Sequence, residues 1–330
     1  MIVDWLIFLL SATAIILAGI RLAPYGEAIG DRTGIGQGWI GLLFLATLTS
    51  IPEMTTTVTG AMIDAPNIAL GNAFGSNLFN VVIIAVLDVL LLGRGPFLLK
   101  VRTYHVLSGS VAIVLTLLAA LGMIIGSPVT WLGISPFSWL ILIGYVFGVL
   151  LLFQAEKKQV EMEEPSGELM SLQKAILGFA ISAVVVIVSG IFLIRASKEI
   201  ALTTGLSASF MGAILVAIVT SLPELATSIG ALRIGAYDMI VGNLFGSNMF
   251  NILTIFFADS AYRSGSILAN LRGGETDQLI VALCGILLAM IAMIAIGVRS
   301  RRKIFGVGVD SVVLWVAYLL VTVLIISRGM

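Results

Sequence analysis

Two glutamates stand out because each lies in the middle of a long apolar segment and directly follows a proline. Glu53 follows Pro52, Glu224 follows Pro223, and a Thr-Ser pair stands just before each Pro-Glu pair. An ionisable group at the depth of a lipid bilayer costs about 2.5–3.5 kcal/mol on insertion scales, and such groups are functional by default. A structural hydrogen bond between helices would explain one lone glutamate better than a matched pair. We therefore predict that the two carboxylates act together on a cation.

The prolines can make backbone oxygens available beside these acids. Proline inside a helix removes one hydrogen bond and clashes with the carbonyl four residues back, which here belongs to Leu48 or Val219. Carbonyls in the preceding turn are then free to face a cavity, as in the discontinuous helices of transporters. A plain proline kink is the alternative, so this feature counts only together with its neighbours.

Hydroxyl and amide side chains surround the glutamates at helical spacing. Some lie on the glutamate face of the same segment, and others form a stripe with a spacing of four in the next apolar segment. They are Thr49, Ser50, Thr56, Asn72, Ser76 and Asn80 in the first copy, and Thr220, Ser221, Thr227, Asn243, Ser247 and Asn251 in the second. Hydrogen bonding between helices is the rival explanation for the asparagine and serine stripe.

The predicted set contains only oxygen donors. The one histidine, His105, lies outside both copies, and the one cysteine, Cys284, sits in an apolar run. Carboxylate, amide and hydroxyl oxygens suit hard cations such as Ca²⁺ and Na⁺ rather than zinc or copper. Two negative charges match one Ca²⁺ or several Na⁺ ions, and they could also hold protons. We expect no resident cofactor.

The two glutamates belong to an internal repeat. Residues 46–80 and 217–251 align without a gap at a constant offset of 171, and sixteen of the thirty-five positions are identical. The motifs TS-x-PE and GN-x-FGSN-x-FN recur at the same separation in both copies. Shared apolar composition does not place the same polar residues at the same spacing twice, so the chain contains a duplication.

The elements that must position these residues are membrane-spanning helices. The chain has 330 residues, of which 59% are hydrophobic and 11% charged, whereas about a quarter of a soluble domain is charged. Its mean hydropathy is +1.13, and its apolar runs exceed the roughly 18 residues typical of a membrane span. Zero net charge and the lack of a long basic tract argue against nucleic acid as a partner.

Apolar runs predict an all-α membrane protein with ten transmembrane helices, of which the second and seventh are broken. The spans fall near 2–22, 37–63, 66–92, 104–125, 132–153, 174–195, 207–233, 236–258, 277–298 and 306–327. A polar, acidic linker at 154–173 separates a first five-helix repeat (1–153) from a second (174–330). Because five is odd, the second copy enters the membrane from the opposite side, and such inverted repeats place their site at the midplane.

Lys and Arg predict the orientation, since these residues are retained on the cytoplasmic side. With ten spans, thirteen of the eighteen basic residues fall on one face, including the run Arg299, Arg301, Arg302 and Lys303. That face and the central linker are predicted to be cytoplasmic, with both termini outside and the protein in the cell membrane.

The two motifs resemble the α-repeats of the sodium/calcium exchanger family, within the cation/calcium antiporter superfamily. The resemblance covers about residues 37–90 and 208–260 and extends to the ten-span layout. It implies that Glu53 and Glu224 are the central Ca²⁺ ligands and that the first and sixth spans slide against the remaining helices. The ligands that it implies besides these are the carbonyls of Ala46, Ala217, Thr49 and Thr220, the oxygens of Ser50, Ser221, Ser76 and Ser247, and the amides of Asn80 and Asn251.

The chain departs from the family pattern in two respects. Some members have Asp where this chain has Asn251, so the glutamates are the only acids in this site. Members usually have Gly before the Thr-Ser pair, where this chain has Leu48 and Val219.

The sequence therefore predicts a secondary transporter, not an enzyme, that exchanges Na⁺ for Ca²⁺ by alternating access and functions as a monomer in the bilayer. Ca²⁺/H⁺ exchange on the same glutamate pair is the alternative. A channel is disfavoured because polar residues thin out toward both faces. An intramembrane hydrolase is disfavoured because Ser76 and Ser247 have no histidine or lysine near them in the repeats.

Overall fold

The computed structural model describes residues 2–33, 39–91, 96–160, 170–204, 217–271 and 275–327, and it is almost entirely helical. The first half consists of α1 (Ile2–Thr33), α2 in two segments (Ile40–Thr49 and Ile51–Met62), α3 (Pro66–Leu90), α4 (His105–Ile125) and α5 (Pro136–Val160). The second half has α6 (Leu172–Thr204), α7 in two segments (Ala217–Thr220 and Leu222–Ile234), α8 (Tyr237–Ala261), α9 (Glu275–Val298) and α10 (Val309–Ser327). The predicted all-α fold of two five-helix repeats, broken in the second and seventh helices, is confirmed.

Length and apolar composition make this chain an integral multi-pass membrane protein. Seven of the described helices are long and apolar enough to span a bilayer, namely α1, α3, α4, α5, α6, α8 and α9. The helix α10 adds a shorter apolar stretch, and α2 and α7 cross as broken helices.

The helices α3 and α8 form the centre of the molecule. The most apolar windows of α3 and α8 are 78% and 89% buried, against 28% for α1 and 22% for α5. Each central helix packs against its partner and against two helices of the other half, α3 against α9 and α10, and α8 against α4 and α5. This reciprocal packing is what a pseudo-twofold axis between inverted repeats requires.

The equivalent helices α1 and α6 pack against each other and lie on the second segments of the broken helices, α1 on α7 and α6 on α2. Glycines 171 residues apart allow the close approach. A methyl group at Gly19 would lie 2.7 Å from Ala226 Cβ, and one at Gly190 would lie 2.8 Å from Pro52 Cγ. The pair therefore contacts the chain within a few residues of both helix breaks.

Two helices continue past the ends of their predicted spans, and one predicted start is wrong. The helix α1 continues to Thr33 rather than ending near residue 22, and α6 continues to Thr204 rather than 195. The prediction ended both at a charge, but a charge ends a membrane span and not the helix itself. The helix α5 begins at Pro136, not 132, because residues 131–134 form a tight turn closed by a bridge between Trp131 and Ile134.

Two buried aspartates hold the ends of the central helices. In α3, the Asp88 carboxylate accepts hydrogen bonds from the backbone N–H groups of Phe97 at 2.6 Å and Gly308 at 2.7 Å. In α8, Asp259 accepts hydrogen bonds from the N–H groups of Ile267 and Ser135, both at 2.7 Å. Each carboxylate thus ties its own helix to the loop that follows it and to the start of a fifth helix in the other half.

Candidate functional site

Both broken helices are interrupted at the serine of the Thr-Ser pair. Ser50 has φ −90° and ψ 8°, and Ser221 has φ −86° and ψ 8°, so the two breaks have nearly the same geometry. The following segments start one residue later and carry the prolines in their first turn, where a missing N–H costs no helical hydrogen bond. The duplicated sequence has therefore folded into a duplicated break, with a glutamate in the first turn after each one.

The carboxylate of each repeat is held by hydroxyl groups of the other repeat. Ser50 Oγ donates to Glu224 Oε1 at 3.0 Å, and Ser221 Oγ donates to Glu53 Oε1 at 3.3 Å. Ser247 Oγ, from α8, donates to the same oxygen of Glu224 at 3.2 Å. Thr220 also interacts with the Glu53 carboxyl. The two acids therefore lie close together in the centre of the protein, between the repeats.

Each glutamate keeps one carboxylate oxygen that has no hydrogen-bond partner. Glu53 and Glu224 are both fully buried, and Glu53 Oε2 and Glu224 Oε2 lack a partner in the structure. Buried polar atoms are almost always satisfied, so each exception needs an explanation such as an ion. Two such oxygens at equivalent positions, next to a shared set of hydroxyl groups, suit a cation that would bind between them.

Hydroxyl and amide groups from α3 and α8 surround the carboxylates. Ser76 Oγ lies 3.4 Å from Thr220 Oγ1, and Thr49 Oγ1 lies 3.5 Å from Ser247 Oγ, so the same contact occurs in both halves. The Asn72 amide donates to the Glu53 backbone carbonyl at 3.1 Å. The side chains of all five residues are buried, so this polar layer is enclosed in protein.

Asparagines join α3 to α8 beside this layer. Asn77 Nδ2 donates to the Asn248 carbonyl at 3.1 Å, and Asn248 Nδ2 donates back to the Asn77 carbonyl at 3.3 Å. Asn80 Nδ2 also donates to Asn248 Oδ1 at 3.1 Å, which leaves Asn80 Oδ1 without a partner. Asn251 is fully buried, and neither its Oδ1 nor its Nδ2 has a partner among the residues that the structure describes.

The structure brings most of the predicted site residues together. Both glutamates, both serines of the Thr-Ser pairs, both threonines before them and both stripe serines contact one another across the repeats. The carbonyl of Ala46 accepts the N–H of Ser50 at 3.1 Å and so lies at the break. Ala217 begins its helical segment, and its side chain is outside the described residues. Which of these atoms bind an ion stays a prediction.

Sequence reasoning placed one threonine wrongly and missed one pair of residues. Within the described residues, Thr56 bonds only to the Pro52 carbonyl of its own helix, whereas the fully buried neighbour Thr57 accepts the amide of Asn72. Asn77 and Asn248 were missed because they lie outside the stripe with a spacing of four. Their signal was their place in the duplicated GSN sequence, which recurs at the same offset.

The arrangement provides hard oxygen ligands. Among the described residues, no third His, Cys, Asp or Glu side chain joins the two glutamates. The two glutamates are therefore joined by hydroxyl and amide oxygens, a set that suits Ca²⁺ and Na⁺ and not a thiophilic metal.

Known proteins resemble this chain along nearly its whole length. The family model described as "Sodium/calcium exchanger protein" matches residues 3–155 and 174–326. The inner membrane protein YrbG of Escherichia coli is 29% identical over 94% of this chain and 97% of its own length. The sodium/calcium exchanger MaX1 of Methanosarcina acetivorans is 26% identical over 97% of this chain and 98% of its own.

The fold also matches solved structures. The sodium-calcium exchanger NCX_Mj, soaked with Na⁺ and Ca²⁺, superposes with a TM-score of 0.72 over 98% of both chains, at 20% sequence identity. At 20% identity the structural similarity shows only that the fold is the same. The two matched segments of the family model show that the chain is a member of the family. This chain belongs to the sodium/calcium exchanger family, whose members are membrane ion exchangers.

Proposed function

We propose that this protein is a secondary active antiporter that exchanges Na⁺ for Ca²⁺ across the cell membrane at the site between Glu53 and Glu224. The observation that carries the proposal is the pair of fully buried, unpartnered carboxylate oxygens, Glu53 Oε2 and Glu224 Oε2. The name of MaX1 and the solved NCX_Mj structure, both sodium/calcium exchangers, support the same assignment.

Competition for the glutamates supplies the coupling. One Ca²⁺ neutralises two carboxylates, and Na⁺ ions can do the same with help from the hydroxyl oxygens of Ser50, Ser221 and Ser247. Both kinds of ion need the same two charges, so binding one expels the other. With neither ion bound, two like charges would face each other inside protein, where Coulomb repulsion is several times stronger than in water. Without a bound ion, the protein therefore changes poorly between its inward-open and outward-open states. This prevents one ion from crossing the membrane without exchange for the other.

The wealth of hydroxyl groups favours Na⁺ over H⁺ as the counter-ion. A proton needs only one carboxylate oxygen, whereas Na⁺ needs several oxygens around it. Serine hydroxyls of both repeats contact the carboxylates at 3.0–3.3 Å, and further serine and threonine hydroxyls lie 3.4–3.5 Å from one another beside them. A site selected for protons alone would not need this number of additional oxygens.

Alternating access can be supplied by α1 and α6. These helices lie against the second segments of α7 and α2, and Gly19 and Gly190 make that contact close and smooth. We infer that the pair slides over the helix breaks and opens the site to one side at a time. The carrier works as a monomer, because one chain supplies both carboxylates.

The orientation follows the distribution of basic residues. We propose that the face with Arg299, Arg301, Arg302 and Lys303 is cytoplasmic, that the acidic linker at 154–173 lies on that side and separates the repeats 1–153 and 174–330, and that both termini lie outside.

Vesicle uptake tests the proposal. Purified protein in sealed vesicles loaded with Na⁺ should take up Ca²⁺ when diluted into Na⁺-free buffer, with K⁺ and an ionophore fixing the membrane potential. A K⁺ gradient or a pH gradient of the same size should not drive uptake. Uptake that follows the pH gradient and ignores Na⁺ would replace the proposal with Ca²⁺/H⁺ exchange. No uptake under any gradient, from protein that elutes as a single folded species, would reject calcium antiport.

A further inference from the structure

Two tight turns of the same geometry precede the fifth helices of the two repeats. In the first turn, Trp131 and Ile134 bond to each other, with Leu132 at φ 54° and Gly133 at φ 81°. In the second, β1 (Lys303–Ile304) pairs with β2 (Val307–Gly308), with Phe305 at φ 52° and Gly306 at φ 85°. We call these the first and second hairpins. Their tips are equivalent, and each presents an apolar side chain, Leu132 being 92% and Phe305 96% exposed.

Both hairpins are held at a membrane boundary. Each connects two spans, α4 to α5 or α9 to α10, so its tip must lie where the chain leaves the bilayer. The aspartates at the ends of the central helices fix their bases, Asp259 by the N–H of Ser135 and Asp88 by the N–H of Gly308, each at 2.7 Å.

The hairpins differ in charge. The four residues before the first bridge are Ser127-Pro128-Val129-Thr130, and the four before Ile304 are Ser300-Arg301-Arg302-Lys303. All three basic side chains of the second hairpin are exposed, and none forms an ion pair with a residue that the structure describes.

The neighbouring Arg299 has a structural role. Arg299 donates from Nη2 to the Leu99 carbonyl at 2.6 Å and from Nη1 to the Val101 carbonyl at 3.3 Å. It fixes the start of the hairpin to the loop before α4. Arg301, Arg302 and Lys303 make no such contact through their side chains within the described residues, so the fold itself does not account for them.

We propose that the second hairpin binds the anionic phospholipid headgroups of the bilayer. Basic residues close to a membrane surface are attracted by its anionic lipids, and an apolar side chain beside them inserts at the headgroup boundary. Three unpaired positive charges next to the exposed Phe305 ring provide both parts. The first hairpin offers the same apolar tip without the charge, so it has no preference for anionic lipid. This inference does not depend on which ions the protein transports.

The two tips allow a matched experiment. Cys284 is the one cysteine of the chain, so Phe305→Cys and Leu132→Cys in a Cys284→Ser background each carry a single environment-sensitive fluorophore. The labelled proteins are placed in nanodiscs of phosphatidylcholine alone or mixed with phosphatidylglycerol. We expect the label at Phe305 to shift to shorter wavelength in the anionic discs, and its quenching by neutral acrylamide to fall by about twofold or more. The label at Leu132 should respond to neither change.

The charges are then removed. Arg301→Gln, Arg302→Gln and Lys303→Gln together should abolish the response of the Phe305 label, and high salt should weaken it in the parent because it screens exposed charge. Thermal unfolding in detergent shows that the variant is folded. An equal response of the Leu132 label, an unchanged Phe305 label in anionic discs, or a full response from the folded triple variant would each overturn the proposal.

Discussion

In the first copy of the repeat, the amide of Asn80 donates to Asn248, whereas in the second copy the equivalent Asn251 has no partner on either side-chain atom. The two helix breaks have nearly the same backbone geometry, with ψ of 8° at both Ser50 and Ser221. The two halves thus share the geometry of the helix breaks and differ in the contacts of the amides. An alternating-access site needs its charges placed symmetrically, because both openings must reach them. Neutral ligands are under no such constraint, so we infer that differences between the halves tune selectivity there.

The strongest test of the symmetric part removes one charge at a time. A unit charge pair at about 4 Å contributes about 4 kcal/mol at an effective dielectric of 20, which is on the order of a hundred- to thousand-fold in affinity. We therefore expect Glu53→Gln and Glu224→Gln each to abolish Ca²⁺ uptake by proteoliposomes. Asp277→Asn, which changes an acid in the first turn of α9 and outside the site, is the matched control and should transport normally.

If the two glutamates contribute equally to the site, Glu53→Gln and Glu224→Gln should lose similar amounts of Ca²⁺ uptake. A large loss in one variant and normal transport in the other would show that the site is not shared between the repeats.

The serines test whether the carboxylates are held from the opposite repeat. A hydrogen bond to a charged group contributes about 1.5–3 kcal/mol, so Ser50→Ala should weaken Ca²⁺ binding by about ten- to a hundred-fold. Ser221→Ala should weaken it less, because its bond to Glu53 is 3.3 Å long against 3.0 Å for Ser50 and Glu224. Calorimetric Ca²⁺ titration measures both losses.

Ser110→Ala is the control, since that hydroxyl donates to the Val106 carbonyl in its own helix. The cross-repeat arrangement can be checked directly in double variants. Added to Glu224→Gln, Ser50→Ala should weaken Ca²⁺ binding little further, because its partner carboxylate is already gone. Added to Glu53→Gln, it should cause its full loss of Ca²⁺ affinity, and the opposite pattern would contradict the structure.

The amides test the asymmetric part. Asn248→Ala removes two contacts, one to the Asn77 carbonyl and one from Asn80, whereas Asn77→Ala removes one contact to the Asn248 carbonyl. At about 1 kcal/mol for each neutral hydrogen bond, both variants should lose stability. Only Asn248→Ala should also change the ratio of Na⁺ to Ca²⁺ affinity, by about fivefold, because it frees Asn80. Competition between Na⁺ and Ca²⁺ in vesicle uptake measures that ratio.

Asn251 offers the matching comparison for stability. Since its side chain has no hydrogen-bond partner among the described residues, Asn251→Ala removes no such bond, so it should cost less stability than Asn248→Ala while it still changes ion binding. A selectivity ratio that shifts equally in Asn77→Ala and Asn248→Ala would mean that these asparagine contacts between α3 and α8 act only through stability.

Much of this architecture could be predicted from the sequence, because the sequence contains twice an acidic residue after a proline within an apolar run. The Pro-Glu pairs in duplicated apolar runs predicted both helix breaks and both buried acids. The crossing of hydroxyl groups between the repeats could not be predicted. Ser50 precedes Glu53 by three residues and would be expected to serve it, yet it bonds Glu224. Which side of the axis a side chain reaches depends on tertiary packing and not on spacing along the chain.

The smallest expected effect concerns a one-residue difference between the halves. The Asn72 amide donates to Thr57 at 3.0 Å in the first copy, whereas the Asn243 amide donates to Thr227 at 3.0 Å in the second. Thr227 is the equivalent of Thr56 and not of Thr57. Thr57→Val should therefore cost about 1 kcal/mol of stability, the worth of a neutral hydrogen bond. Thr56→Val should cost less, because that hydroxyl bonds only the carbonyl of Pro52. Thermal unfolding of the two variants in detergent shows which one loses more stability. A larger loss in Thr56→Val would mean that Thr56 and its equivalent Thr227 play the same part in the two repeats, as the sequence alone suggests.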